Sequence, residues 1–217
     1  MKKSGRYKTS HLLENQYEPG SGSRVLRNLL GIKRKREMDR IEGREQVRAL
    51  EELLGMYGKS HRFHAADVCH IHKVWLGPVY SWAGQYRQVN ITKGNFSFAA
   101  AQHIPALMND FEKGPLAKFT PCNFQSEDEI GNALAVVHAE LVLIHPFRDG
   151  NGRTARLFAI LMAVQAGLPP LDFGGLKRTM KQKYFSAVRA SLERNYGPMK
   201  QIFRSVVRRT MRRFGRR

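Results

Sequence analysis

Between two apolar runs, twelve residues read His145-Pro146-Phe147-Arg148-Asp149-Gly150-Asn151-Gly152-Arg153-Thr154-Ala155-Arg156. A packed core has no use for that mixture. His145 is the side chain best suited to take a proton near neutral pH. Gly150-Asn151-Gly152 lets the backbone turn so that successive amides converge on an anion. A helix starting there adds its positive end. Arg153 and Arg156 are three apart and share a face of that helix. Two guanidiniums plus a nest of amides suit a polyphosphate better than a single carboxylate. Asp149 is an oxygen donor beside those phosphates, which suits Mg²⁺, an ion held by one or two carboxylates plus phosphate oxygens. Each residue has a duller reading: His145 as a helix C-cap, Asp149 as an N-cap, the arginines as solvated charge. Crowding into twelve residues argues against all of these at once. A P-loop is excluded, because no strand precedes and no Gly-Lys-Ser/Thr succeeds it. His138 and His145 are seven apart, which is not a zinc spacing, so His138 reads as buried or capping.

The loop must be positioned by the helices on either side. Ser126-Glu127-Asp128-Glu129 is a capping box. The helix it opens carries Ile130, Leu134, Val137, Leu141 and Ile144 as one apolar stripe and ends near Pro146. Beyond the loop, Arg153–Ala166 reads as helix with Leu157, Ile160, Leu161 and Val164 inward, stopped by Gly167 and Pro169-Pro170. Upstream, helical spacing covers Glu37–Tyr57 through Met38, Ile41, Val47, Leu50, Leu53 and Leu54, and then Ala65–Leu76. Alternation around Lys93-Gly94-Asn95 predicts a hairpin. Further helices fit Ala101–Lys113, Leu176–Glu193 and Met199–Arg213. The first 24 or so residues are polar and turn-rich, with a short helix at Ser10–Asn15. A helical pattern from Val25 breaks at Gly31. The class is all-α with one short β-hairpin.

The 217 residues suffice for one domain with a real core, and 42% are apolar. No apolar run is long enough to span a bilayer. The basic start, Met1 to Ser10, leads into no apolar stretch, so it does not read as a secretory signal. Cys69 and Cys122 have neither metal nor redox spacing, which points to a reducing setting, a cytoplasmic protein or one delivered into a cytoplasm. The formal charge of +19 attracts polyanions. It concentrates at Lys33–Arg36 and in the arginine-rich C-terminus. A solubilising surface and a nucleic-acid role both accommodate it, but no recognition-helix, zinc-finger or RNA-binding sheet pattern accompanies it.

The loop resembles the signature of the Fic family: His-Pro-Phe, a variable residue, Asp or Glu, Gly-Asn-Gly-Arg, two variable residues, Arg. Every fixed position matches. Tyr80–Phe98 resembles the region of the Fic flap, and Ala135–Phe147 the helix entering the motif. The resemblance covers most of residues 40 to 205. It implies a helical bundle that transfers AMP from ATP to a Ser, Thr or Tyr hydroxyl of a target protein. On that reading His145 is the general base and Asp149 holds Mg²⁺. The amides around Gly150, Asn151, Gly152 and Arg153 form the anion hole, Arg153 neutralises the departing phosphates, and Arg156 binds the γ-phosphate. Tyr184 lies near the adenine. The flap, Val89, Asn90, Ile91, Thr92, Lys93, Gly94, Asn95 and Phe96, docks the target by strand pairing. Doc-type relatives, which transfer phosphate, differ at Gly150–Arg153. The family's inhibitory pattern is matched by Ser10, Glu14 and Asn15, whose glutamate would occupy Arg156. Glu42 is the alternative, though Met38 stands where Ser or Thr belongs. The implied division is an N-terminal segment, 1–36, with the inhibitory helix at about 8–16 and a basic linker; a Fic domain, 37–205; and a basic tail, 206–217. A separate antitoxin, nucleic acid at the tail and a second copy of the chain stay open as partners.

Overall fold

A computed structural model describes residues 11–174 and 178–214. Its centre is α5 (Glu127–Ile144), which opens on the capping box: Glu129 N donates to Ser126 Oγ at 3.2 Å, and Ser126 N donates to Glu129 Oε2 at 3.4 Å. The sequence predicts a single apolar stripe. Instead the helix is buried nearly all round, because Ala133, Ala135 and Ala139 let neighbours approach the faces between the large residues. Those neighbours are chiefly α6 (Asn151–Gln165) and α8 (Gly197–Phe214), with α3 (Ile104–Phe111) and α7 (Arg178–Ala190) at the sides.

Against this core lie α1 (Lys35–Met56) and α2 (Ala65–Leu76), packed on each other. The buried line of α1 runs Met38, Glu42, Ala49, Leu53, so a carboxylate sits inside an otherwise apolar face. Val47, expected inward, is exposed; its place on the inner face is taken by Ala49. The hairpin is shorter than its sequence suggests. Thr92–Lys93 (β1) pairs with Phe96–Ser97 (β2) in the register Thr92↔Ser97 and Lys93↔Phe96, with Gly94 left-handed at the turn.

The helix expected over 101–113 begins as a 3₁₀ turn (Ala101–His103), becomes α3 and widens into a π turn (Glu112–Leu116) before α4 (Ala117–Phe119). Pro115 has no amide to donate, and the wider turn accommodates it.

Among the described residues ahead of α1, only Leu13–Asn15 is helical, as one 3₁₀ turn; Ser10 lies outside the described residues. The pattern from Val25 is not a helix. Tyr17 and Leu26 form an antiparallel bridge, and Asn28 organises the backbone from Leu26 to Ile32. Its Nδ2 donates to Leu26 O at 3.1 Å and Ile32 O at 3.0 Å, and its Oδ1 accepts from Ile32 N at 3.0 Å. An asparagine that offers the backbone its own hydrogen bonds competes with helix. Val25 and Leu26 join the core, so this segment is part of the bundle. The arginine-rich stretch as far as Phe214 likewise packs on the bundle: α8 runs unbroken to Phe214, with Val206, Val207 and Thr210 buried. Leu176, the expected start of the next-to-last helix, lies outside the described residues; α7 begins at Arg178. No helix among the described residues is long and apolar enough to cross a membrane.

Candidate active site

The chain leaves α5 through His145, whose backbone is left-handed (φ 54°, ψ 58°). A non-glycine residue there costs about 1–2 kcal/mol. Three bonds hold it: its amide donates to Leu141 O at 3.1 Å, its carbonyl accepts from Arg87 Nε at 2.8 Å, and Nδ1 meets Val142 O at 3.0 Å. A carbonyl only accepts, so Nδ1 carries the proton and Nε2 is the basic nitrogen. Phe98 stacks on the ring at 3.6 Å. Burial pushes the imidazole down to about 4; Arg87 and Lys93 push the same way, while the Val142 bond and Asp149 oppose. At neutral pH His145 is an uncharged proton acceptor.

Gly150 is left-handed (φ 83°), and a Cβ there would lie 2.8 Å from Trp75 Cζ3 and 3.1 Å from Leu76 Cδ1, so the turn rests directly on α2. Asn151 is buried and directs both ends of its amide at Phe147: Phe147 N donates to Oδ1 at 2.8 Å, and Nδ2 donates to Phe147 O at 2.7 Å. Its side chain therefore shapes the loop. What it can offer an anion is backbone, together with Gly152, at the open end of α6. Gly150 N is taken by Asp149 Oδ1 at 2.6 Å.

Sequence reasoning missed His72, which braces this loop from below. Its Nδ1 accepts from Gly84 N at 2.8 Å, so Nε2 carries the proton and donates to Asp149 O at 3.1 Å; the ring stacks on Phe147 at 3.9 Å. A histidine on an apolar helix face was the signal available, and it names no partner.

Arg153 does not stand free. Nη1 donates to Glu42 Oε2 at 2.5 Å, and its guanidinium lies 4.6 Å over the Trp75 ring. Glu42 also accepts from Tyr80 Oη at 2.7 Å, and its carbonyl accepts from Trp75 Nε1 at 2.9 Å. Arg156, by contrast, touches no carboxylate among the described residues. The two glutamates that the inhibitory pattern offered to Arg156 are thus elsewhere: Glu42 is on Arg153, and Glu14 Oε1 accepts from Gln88 N at 2.7 Å.

A cleft of about 1140 Å³ runs from the hairpin to α7. It collects His145, Asp149, Gly150, Asn151, Gly152, Arg153 and Arg156 on one side and Tyr184, Phe185 and Arg189 on the other. Tyr184 Oη bonds His138 Nε2 at 2.8 Å. Because His138 Nδ1 faces Ala155 O at 3.2 Å and must donate to it, the phenol is the donor. Lys93, Gly94 and Phe96 of the hairpin reach the cleft, and Lys93 Nζ lies 5.2 Å over the Phe185 ring. Val89 is buried, and Asn90 Oδ1 accepts from Ala101 N at 2.8 Å, so those two anchor the hairpin. Asp149, its side chain 51% exposed, is the carboxylate facing the cleft. One carboxylate beside a basic helix start suits Mg²⁺ when phosphate oxygens complete the shell, and no three-ligand cluster exists among the described residues.

A helical bundle with a hairpin beside a basic, glycine-turned loop at a helix start defines the class. The Fic/DOC family model matches residues 62–163. The protein adenylyltransferase VbhT of Bartonella schoenbuchensis is 32% identical over 198 residues, 91% of this chain and 39% of that protein. A Salmonella typhimurium protein named probable protein adenylyltransferase Fic is 30% identical over 151 residues, 67% of this chain and 71% of that one. The crystal structure of the Bartonella tribocorum effector BepC with bound AMPPNP superposes with a TM-score of 0.71 at 23% identity, covering 90% of this chain and 97% of that one. The chain belongs to the Fic/DOC family. It spans well under half the length of VbhT.

Proposed function

We propose that the chain is a protein adenylyltransferase, moving AMP from ATP to the hydroxyl of a Ser, Thr or Tyr on a target protein. The observation that carries this is a neutral His145, with Nε2 as its basic nitrogen, lining the same cleft as the first turn of α6 and Arg156. Relatives named protein adenylyltransferases, and the AMPPNP bound in BepC, support the donor. His145 Nε2 takes the hydroxyl proton, the hydroxyl oxygen bonds the α-phosphorus, and the bond to the β-phosphate oxygen breaks, releasing pyrophosphate. The amides of Asn151 and Gly152 receive the α-phosphate oxygens, and Arg153 and Arg156 hold the departing phosphates. This is positioning plus charge stabilisation, the general means of transfer at phosphorus. Mg²⁺, bound through Asp149, would supply charge neutralisation on the phosphates. The hairpin offers its edge to the target by strand pairing, and Tyr184 walls the base end.

The test is label transfer from α-labelled ATP with Mg²⁺ to the chain itself and to lysate proteins. His145→Ala should abolish it. Label from γ-labelled ATP alone, with none from α-labelled ATP, would make the chain a phosphotransferase instead.

A further inference from the structure

Arg87 joins three parts of the site. The residue is 2% exposed. Nε donates to His145 O at 2.8 Å, Nη1 to Val89 O at 2.7 Å, and Nη2 to Ala99 O at 2.6 Å; its own amide donates to Pro146 O at 2.8 Å. Val89 and Ala99 are the two feet of the hairpin. His145 O belongs to the strained residue at the end of α5. One planar fork therefore sets both the pose of the imidazole and its distance from the surface that would receive a target. Lysine, a point charge without the fork, cannot make the same three bonds.

A buried cation needs a counter-charge. Glu14 supplies one from the N-terminal 3₁₀ turn. It is buried, and Oε1 accepts from the amide of Gln88, the next residue along, at 2.7 Å. Burial raises its pKa, and the Gln88 bond, Arg148 and Arg87 oppose that rise. The N-terminal segment is thereby tied to the chain one residue beyond Arg87, at the approach to the hairpin.

We propose that Arg87 is a positioning residue for the transfer, locking His145 and both feet of the hairpin in one register, and that Glu14 is the carboxylate that keeps it in place. This rests on the adenylyltransferase reading, and it gives Glu14 the opposite sign from a brake: removing its charge should slow transfer, not release it.

The experiment compares the full chain with Arg87→Lys, Arg87→Gln and Glu14→Gln, the last of which keeps an acceptor for the Gln88 amide. Three quantities are read: AMPPNP affinity, AMP transfer from α-labelled ATP, and the titration of His145 followed by NMR. Charged groups facing His145 are Arg87, Lys93 and Asp149. Arg87→Lys should bind AMPPNP about as the unaltered chain does and transfer AMP on the order of tenfold to a hundredfold more slowly, the effect expected of a roughly 1 Å misplacement. Arg87→Gln removes one of the two cations and should move the His145 titration upward. Glu14→Gln should reduce transfer. Transfer unchanged in Arg87→Lys, with His145 titrating at its original pH in Arg87→Gln, overturns the proposal. A rise in Glu14→Gln overturns the part assigned to Glu14. If the unaltered chain transfers nothing, the adenylyltransferase reading falls, and the His145 titration alone still decides whether Arg87 governs it.

Discussion

Replacing Gly150 by alanine tests whether the turn that opens α6 rests on a rigid floor. Two costs add. A left-handed backbone (φ 83°) disfavours any Cβ, by about 1–2 kcal/mol. The new methyl would also lie 2.8 Å from Trp75 Cζ3, 3.2 Å from Cη2 and 3.1 Å from Leu76 Cδ1, and both side chains are fully buried. Neither can retreat, so overpacking adds roughly 1–3 kcal/mol. The sum, roughly 2–5 kcal/mol, corresponds to a fall in melting temperature on the order of 10 °C for a chain of this size. Gly94→Ala is the internal control: it has the same handedness (φ 60°) but nothing within 4 Å of the added atom, so only the backbone cost applies, and an exposed hairpin tip absorbs it locally. The assay is thermal unfolding by circular dichroism, paired with AMPPNP affinity, which should drop for Gly150→Ala alone. Equal melting temperatures for the two variants would refute the reasoning, because the wall formed by Trp75 would then yield at no cost.

Glu42→Ala should destabilise the fold by roughly 2–4 kcal/mol, the range for breaking a buried pair discounted for the partial exposure of Arg153, and should lower transfer; an increase in transfer would restore Glu42 as a brake. Stability should fall with acid. His72 and His138 are buried and sit near 4 against an ordinary 6.5, held down by burial. Between those values the unfolded chain binds protons that the folded chain refuses, so stability is complete above about 6.5 and is lost as pH falls toward 4. Urea midpoints measured from pH 7 to 4.5 should therefore decline, and a flat series would contradict the neutral assignment. Phe98→Ala uncovers His145, and the imidazole should titrate closer to its ordinary value by NMR as burial is relieved.

Local features are legible in the sequence. Ser126 and Glu129 lie three residues apart, so their capping box needs nothing beyond its own turn. Ala65–Leu76 is bounded correctly by its own periodicity. The loop from His145 to Arg156 announces itself because its chemistry is contiguous. Contact at long range escapes. Glu42 and Arg153 are 111 residues apart, and Gln88 and Glu14 are 74 apart. A carboxylate three or four residues from the right neighbours looks like a surface charge or a short motif until the fold says what faces it. Pattern alone therefore draws both glutamates toward Arg156, and the structure seats each on a different partner. His72 and Arg87 escape for the same reason, since each acts by bonding backbone carbonyls and amides, which carry no residue identity. The false helix from Val25 has a different cause: the side chain of Asn28 reorganises four or five residues of backbone, and periodicity does not register side-chain bonds to the main chain.

The hairpin has only two paired positions on each strand. A ribbon that short has no stability of its own. Its shape is imposed from outside, by the fork of Arg87 at its feet and by Lys93 resting over Phe185 at its tip. Residues between those anchors carry almost none of the burden of folding. Thr92, Asn95 and Ser97 can thus drift in evolution without cost to the bundle, and on the proposed function each change would alter the edge offered to a target while the groups behind it stay still. The same division recommends this segment to an engineer: new partners can be sought by varying a few exposed positions on a bundle that does not depend on them.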